Sequence, residues 1–226
     1  LTLSFTPIYS MKNSSVKIIF HNARSFHKHF SDIANNHLIK GAHIMAFAES
    51  RLIVSDNNID YAIDNFSISR VDQTRNTNNR PPHGLIIYIH NNIVVNNTFK
   101  YSSTDFEFIY QLFTFQNKTI QLVVFYISPN CRKPVLIHNI LQIKKLLNFN
   151  LPFILTGDTN LNLHNSANVI DIKFIEDTLN CKQLMFEYTT DSKTTLDHIY
   201  SSSQNLNVGI IDTSWSDHKC IYTEMQ

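Results

Sequence analysis

Several apolar runs in this chain end on, or border, a side chain able to hold a cation or move a proton. Asn22 follows VKIIF, Glu49 follows AHIMAFA, Tyr126 lies near the end of TIQLVVFYI, and Asp158 with Asn160 follows PFILTG. Asp217 and His218 belong to the same set, and Asp197 sits inside a separate strand-like run. In open α/β sheets ligand sites collect at the carboxyl ends of strands. Buried acids and amides are costly unless paired or bound to a cation, so one shared site explains the repeated placement better than chance. Carboxylate oxygens suit a hard cation such as Mg²⁺, while Cys/His spacing for zinc is absent. A cation beside a phosphate stabilises developing negative charge. A carboxylate facing a water orients or deprotonates it. A histidine held by an aspartate donates to a phosphoryl oxygen. Together these parts describe metal-assisted hydrolysis of a phosphate ester.

The positioning elements follow from hydrophobic periodicity. Residues 16–20 and 42–48 read as buried strands. Phe26, Phe30, Ile33, Leu38 and Ile39 between them fall at helical spacing, so the chain opens strand–helix–strand with a parallel pair. Polar residues 72–83 read as an exposed loop. Strands are expected over 85–90, 106–115 and 119–127, with a hairpin at Asn117-Lys118. Helices are expected over 135–147, with Pro134 in the first turn, and over 169–179, with Ser166 or Asn168 as cap. Further strands are expected at 152–155, 184–188, 196–201, 208–211 and 220–224. This pattern implies an α/β fold of two stacked mixed sheets flanked by helices.

Composition narrows the class. The 226 residues are 43% hydrophobic, enough for one packed core, and the 4 glycines and 6 prolines exclude collagenous or linker-like chains. A net charge of +1 excludes a globally basic wrap for nucleic acid. No apolar run reaches the roughly 18 residues of a membrane span. Cys131, Cys181 and Cys220 form no CxxC and no disulfide framework. The first ten residues lack a charged region ahead of their apolar stretch, so no targeting signal is read. The chain is expected to be one domain over 1–226, with 1–15 an N-terminal extension, taken from a longer protein.

In order, the segments HNARSF (21–26), AES (48–50), FYISP (125–129), GDTN (157–160), TLDHIY (195–200) and SDH (216–218) resemble the endonuclease/exonuclease/phosphatase superfamily. The likeness is nearest to the apurinic-like endonuclease domains of non-LTR retrotransposons and related mobile elements. Each triplet alone is weak; the ordered set is specific. The resemblance implies the DNase I-like four-layer sandwich. It implies that Glu49 is the principal metal ligand, with Asn22 supporting it and Asp217 on the metal side. It implies that Asp158 activates the attacking water and Asn160 positions water and phosphate. It implies that Tyr126 contacts the phosphate or leaving oxygen, and that His218 binds the scissile phosphate, oriented by Asp197. The implied cofactor is Mg²⁺, with Mn²⁺ as substitute. The sequence also departs from the family. Thr159 stands where many relatives have Phe, AES replaces the commoner QET, and the acid that follows the asparagine in apurinic-type repair enzymes is missing.

Adjacent strand residues face opposite ways, so only one of Asp197 and His198 should enter the site; Asp197 is expected there and His198 in the structure around it. The remaining histidines form no cluster by sequence. Arg24, Lys193, Thr194 and Ser216 are the expected DNA contacts. The resemblance implies that 189–195 borders the minor groove, where readout is mainly of A·T content and groove shape; relaxed nicking is therefore expected. The implied activity is a DNA nick leaving 3′-hydroxyl and 5′-phosphate ends, in a nuclear protein that also carries reverse transcriptase or helicase modules. Two rival readings are a phosphodiesterase or phosphatase of the same superfamily acting on RNA, DNA adducts or lipid head groups, and an inactive nucleic-acid-binding module.

Overall fold

A computed structural model describes residues 15–72, 83–203 and 206–226. Most of the expected 1–15 extension and of the 72–83 loop lies outside the described residues.

The first sheet is built from β1 (Val16–Asn22), β2 (Ile44–Ala48), β3 (Phe66–Val71), β4 (Leu85–His90), β11 (Leu206–Ile211) and β12 (Cys220–Met225), in the order β11-β12-β1-β2-β4-β3. The second contains β5 (Val94–Ser102), β6 (Phe106–Phe115), β7 (Lys118–Ile127), β8 (Phe153–Asp158), β9 (Lys182–Gln183) and β10 (Asp197–Ser201), in the order β5-β6-β7-β8-β10-β9. β1 and β2 are parallel, as expected, and so are β7 and β8. Alternation along the strands makes the layers. Ile18 and Phe20 of β1 meet Leu122, Val124 and Ile154 between the sheets. Ile19, Met45 and Phe47 face outward onto Phe26 and Ile33 of α1 (Phe26–Asn35). On the far side, Phe108, Val123 and Phe153 pack against α3 (Lys133–Leu146) and α4 (Val169–Leu179). The result is the expected four-layer arrangement. Among the described residues no helix is long and apolar enough to cross a membrane.

Four local expectations change. The helical spacing over 26–39 splits at Asn36, whose side chain accepts from Leu38 N and Ile39 N and so starts a short α2 (His37–Lys40). The β6–β7 hairpin turns on Gln116-Asn117, both left-handed (φ 48° and 65°), so Lys118 already belongs to β7. Neither Ser166 nor Asn168 caps α4 by its side chain. Asn165 accepts from Ala167 N and opens a 3₁₀ turn that leads into the helix. No strand forms at 184–188; the two-residue β9 ends just before it, at Gln183. Beyond Leu184 N, which donates to Ile199 O, the chain leaves the sheet edge; Met185 is buried in the core while Phe186 and Tyr188 are exposed. β3 and β5 are strands without a long apolar run, and both lie at sheet edges.

Candidate active site

The topology brings the polar strand ends to one edge of the sandwich. Asn22 pairs with Ala48 at the ends of parallel β1 and β2, so Glu49 follows directly. Tyr126 and Asp158 are register partners across parallel β7 and β8. β10 runs antiparallel to β8, and its first residue, Asp197, lies opposite Asp158. His218 stands just before β12, which is antiparallel to β1.

Asn22 joins the two sheets. Its Nδ2 donates to Glu49 Oε1 at 2.9 Å and to Asp158 Oδ2 at 2.8 Å. Asp158 Oδ1 accepts from Asn160 N at 2.8 Å, and Asn160 Nδ2 donates to Ile127 O at 2.7 Å. Glu49 and Asn160 both take left-handed backbone (φ 50° and 51°), as do Arg24 and Arg51 (each φ 54°). Non-glycine residues rarely pay this strain except where the surrounding structure imposes it, and such residues concentrate at functional sites.

Asp197 Oδ2 lies 2.8 Å from His218 Nδ1, with both side chains buried. The bond assigns Nδ1 as donor and leaves Nε2 for another partner. Donor atoms of Asp158, Asp197 and His218 all lie within 4.8 Å of one another. Burial, then the charge of Asp197, pushes the Asp158 carboxyl up to about 7, against the pull of His218, Asn22 and Asn160 N–H. Burial alone would depress His218, but the charge and hydrogen bond of Asp197 lift it to about 9. Asp197 Oδ1 is buried without a hydrogen-bond partner among the described residues. An orphaned carboxylate oxygen beside a second buried carboxylate is the situation a cation relieves. The oxygen donors of Glu49, Asn22 and Asp158 suit a hard divalent ion.

The other expected residues sit at the rim. Asp217 is half exposed and held by Arg24 in a two-pronged pair, 2.8 Å from Nε and 2.7 Å from Nη2. Burial opposes ionisation, but the Arg24 bond keeps the Asp217 carboxyl below its usual range. Thus Asp217, expected on the metal side, and Arg24, expected on DNA, face each other in this structure. Ser216 Oγ donates to Asn22 O at 2.8 Å and accepts from His218 N at 3.1 Å. Thr194 Oγ1 lies 2.6 Å from Thr190 Oγ1 within the 189–195 loop, and Lys193 is exposed there. That loop docks on the SDH segment through Asp191 N to Asp217 O and Lys219 N to Thr189 O. His198 is outside the cluster, within reach of Tyr200 Oη and Thr195 O, and burial pushes it down to about 4.

Sequence reasoning missed three contributors. Thr189 Oγ1 accepts from Leu196 N and Asp197 N, fixing the start of β10. His21 Nε2 accepts from Trp215 Nε1 at 3.1 Å, tying the end of β1 to the segment before His218. His83 packs its ring on Tyr126, centroids 4.9 Å apart. Only the strand-end position of His21, beside Asn22, was a usable signal.

The His218 shift gives a pH prediction for the metal-free protein. Its ordinary value is 6.5 and its folded value about 9. Between these the folded state keeps a proton that the unfolded state has released. The contribution is therefore complete below 6.5 and is lost as pH rises through 9. Asp158, raised from 3.8 to about 7, is still half protonated at pH 7 and adds a smaller loss of the same sign before it finishes titrating. Burial pushes the thiols of Cys131, Cys181 and Cys220 up from 9, so they begin to add to the loss as pH approaches that value and do so mainly above it. Urea unfolding should show stability falling by roughly 2 kcal/mol from pH 7 to 9. His218→Gln should flatten that slope; an equal slope in the variant would contradict the assignment.

No protein-family model matches the sequence, and no curated protein matches it either. Solved structures do. The human Nocturnin catalytic domain, solved with a bound sulfate, superposes with a TM-score of 0.71 at 16% identity over 93% of this chain and 92% of that one. An endonuclease/exonuclease/phosphatase family protein of Bacteroides thetaiotaomicron gives 0.69 at 12% identity, over 93% and 97%. The endonuclease domain of TRAS1, a telomere-specific non-LTR retrotransposon, gives 0.69 at 12% identity, over 94% and 98%. The chain thus has the two-sheet DNase I-like fold of these proteins over nearly its whole length.

Proposed function

We propose that this chain is a cation-dependent phosphodiesterase, the DNA endonuclease domain of a mobile element. The observation that carries the reading is the Asn22 side chain, which holds Glu49 of its own sheet and Asp158 of the other beside the Asp197–His218 pair. The similarity to an endonuclease domain of a non-LTR retrotransposon supports the same reading.

Glu49, with Asn22 and Asp158, would hold Mg²⁺, or Mn²⁺ in its place. When bound, the cation supplies charge stabilisation to the phosphate as it is attacked. The chain's own groups do the rest. Asp158, anchored by Asn22 and Asn160 N–H, orients the attacking water and takes its proton. His218, held protonated by Asp197, offers Nε2–H to a phosphoryl oxygen. The Tyr126 phenol, which burial and nearby carboxylates keep protonated, donates toward the leaving oxygen. Arg24, Ser216, Thr194 and Lys193 would contact flanking phosphates, and phosphate contacts give position rather than sequence. The 3′-hydroxyl left by such a nick primes synthesis, which suits a partner module with polymerase activity and a nuclear target. The inactive-module reading is disfavoured because two buried carboxylates and an imidazole are gathered in one place despite their desolvation cost.

Product analysis tests this. A 5′-labelled duplex oligonucleotide cut in Mg²⁺ should leave an end that a polymerase extends without prior treatment. Release of phosphate from p-nitrophenyl phosphate, with DNA and bis(p-nitrophenyl) phosphate untouched, would instead indicate a phosphomonoesterase.

A further inference from the structure

His83 lies outside every segment that carries the family resemblance, yet it reaches the site. Its ring packs on Tyr126 with centroids 4.9 Å apart and planes at 41°. The Tyr126 residue is 4% exposed, and its hydroxyl forms no hydrogen bond with the described residues. A phenol without such an anchor can be aimed only by what packs on its ring. Register pairing puts the Tyr126 backbone between Glu107 and Asp158, and this fixes the strand but not the ring.

The backbone that carries His83 is itself pinned from two sides. Arg51 N donates to His83 O and Ser50 N to Gly84 O, both at 3.0 Å, which zips 83–84 to the turn bearing Glu49. Gly84 N donates to Glu107 Oε2 at 2.8 Å, on the strand next to Tyr126. Gly84 is left-handed (φ 107°), and a Cβ there would come within 2.3 Å of Ser50 Oγ, so the approach depends on glycine. The imidazole is thus held between the Glu49 turn and the Tyr126 ring.

We infer that His83 is a positioning residue for Tyr126, fixing the angle at which its phenol enters the cleft. The inference rests on the hydrolytic reading above. If it holds, His83→Ala lowers the Mg²⁺-dependent plasmid-nicking kcat by about tenfold with KM unchanged, since small misplacements of an oriented group cost rate steeply. His83→Phe, which keeps a ring on Tyr126, recovers most of that loss. In a Tyr126→Phe background, with no hydroxyl to aim, His83→Ala has no further effect on kcat. A loss that persists in that background, or that His83→Phe fails to recover, overturns the inference. One readout needs no activity. The Tyr126 ring signals, assigned from Tyr126→Phe in tyrosine-labelled protein, should shift in His83→Ala while the other tyrosines stay in place. Unchanged Tyr126 signals overturn the inference whatever the substrate, whereas shifted signals in a protein that cleaves no phosphate ester sink the hydrolytic reading alone.

Discussion

Asp158→Asn is expected to keep the fold and lose the metal-dependent hydrolysis by about 10³-fold or more, within the range general-base and electrostatic contributions reach. The two side chains have the same shape. The amide oxygen can still accept from Asn22 Nδ2 or Asn160 N, which hold the carboxylate at 2.8 Å each. What disappears is one of these two hydrogen bonds and the charge that takes a proton from water and faces a cation. The same change removes one of two buried carboxylates placed opposite each other on β8 and β10. Burial and Asp197 already push Asp158 up to about 7, so its charge is a strain on the metal-free fold. The variant should therefore melt at the same temperature as the parent, or higher, in EDTA, and gain less from added Mg²⁺. Function held at the expense of stability is a common pattern in active sites. A variant that retains full hydrolysis would remove Asp158 from the mechanism. One that unfolds would mean the carboxylate is structural.

The largest expected stability effect lies one residue earlier. Gly157 is on β8, where its parallel neighbour β7 passes so close that an added Cβ would lie 2.0 Å from the Phe125 carbonyl oxygen and 2.9 Å from its ring. No side chain can turn aside to relieve a backbone contact. The β7–β8 ladder would have to part between Phe125 and Asp158, in the centre of the second sheet. Gly157→Ala is expected to cost more than about 4 kcal/mol, at the extreme of single substitutions. For a chain of this size that lowers Tm by about 10 °C or more, or leaves insoluble protein. A soluble variant with the parent Tm would mean that the sheet yields more readily than packed interiors do. The glycine also explains why the GD pair matters as a unit: the close approach of β7 sets Tyr126 opposite Asp158.

The legible parts of the molecule share a physical cause. β1, β2, β7 and β8 are buried on both faces or nearly so, and they read as unbroken apolar runs whose polar ends stood out. Asn22, Glu49 and Asp158 were legible for that reason. The period of two along β10 separates Asp197 from His198 in the sequence itself. The edge strand β5 is exposed along almost its whole length and carries no such run. Asn36 looked like one more polar helix residue because capping depends on backbone angle, not composition. The Arg24–Asp217 pair joins residues 193 apart, and the His83–Tyr126 contact crosses between the sheets; neither leaves a local signature. Thr189 belonged to a segment expected to border DNA, yet its hydroxyl is spent on the backbone of the strand that bears Asp197.

On the proposed reading, the Asn22-linked carboxylates and the Asp197–His218 pair form one cation-dependent site that cuts DNA. Nicking of supercoiled plasmid, with Mg²⁺ and with EDTA, beside Asp158→Asn, tests it most directly. Open-circular product is expected in Mg²⁺, none in EDTA, and a rate lowered by about 10³ in the variant. Equal nicking with and without Mg²⁺, or no nicking by folded protein that binds Mg²⁺, would contradict it.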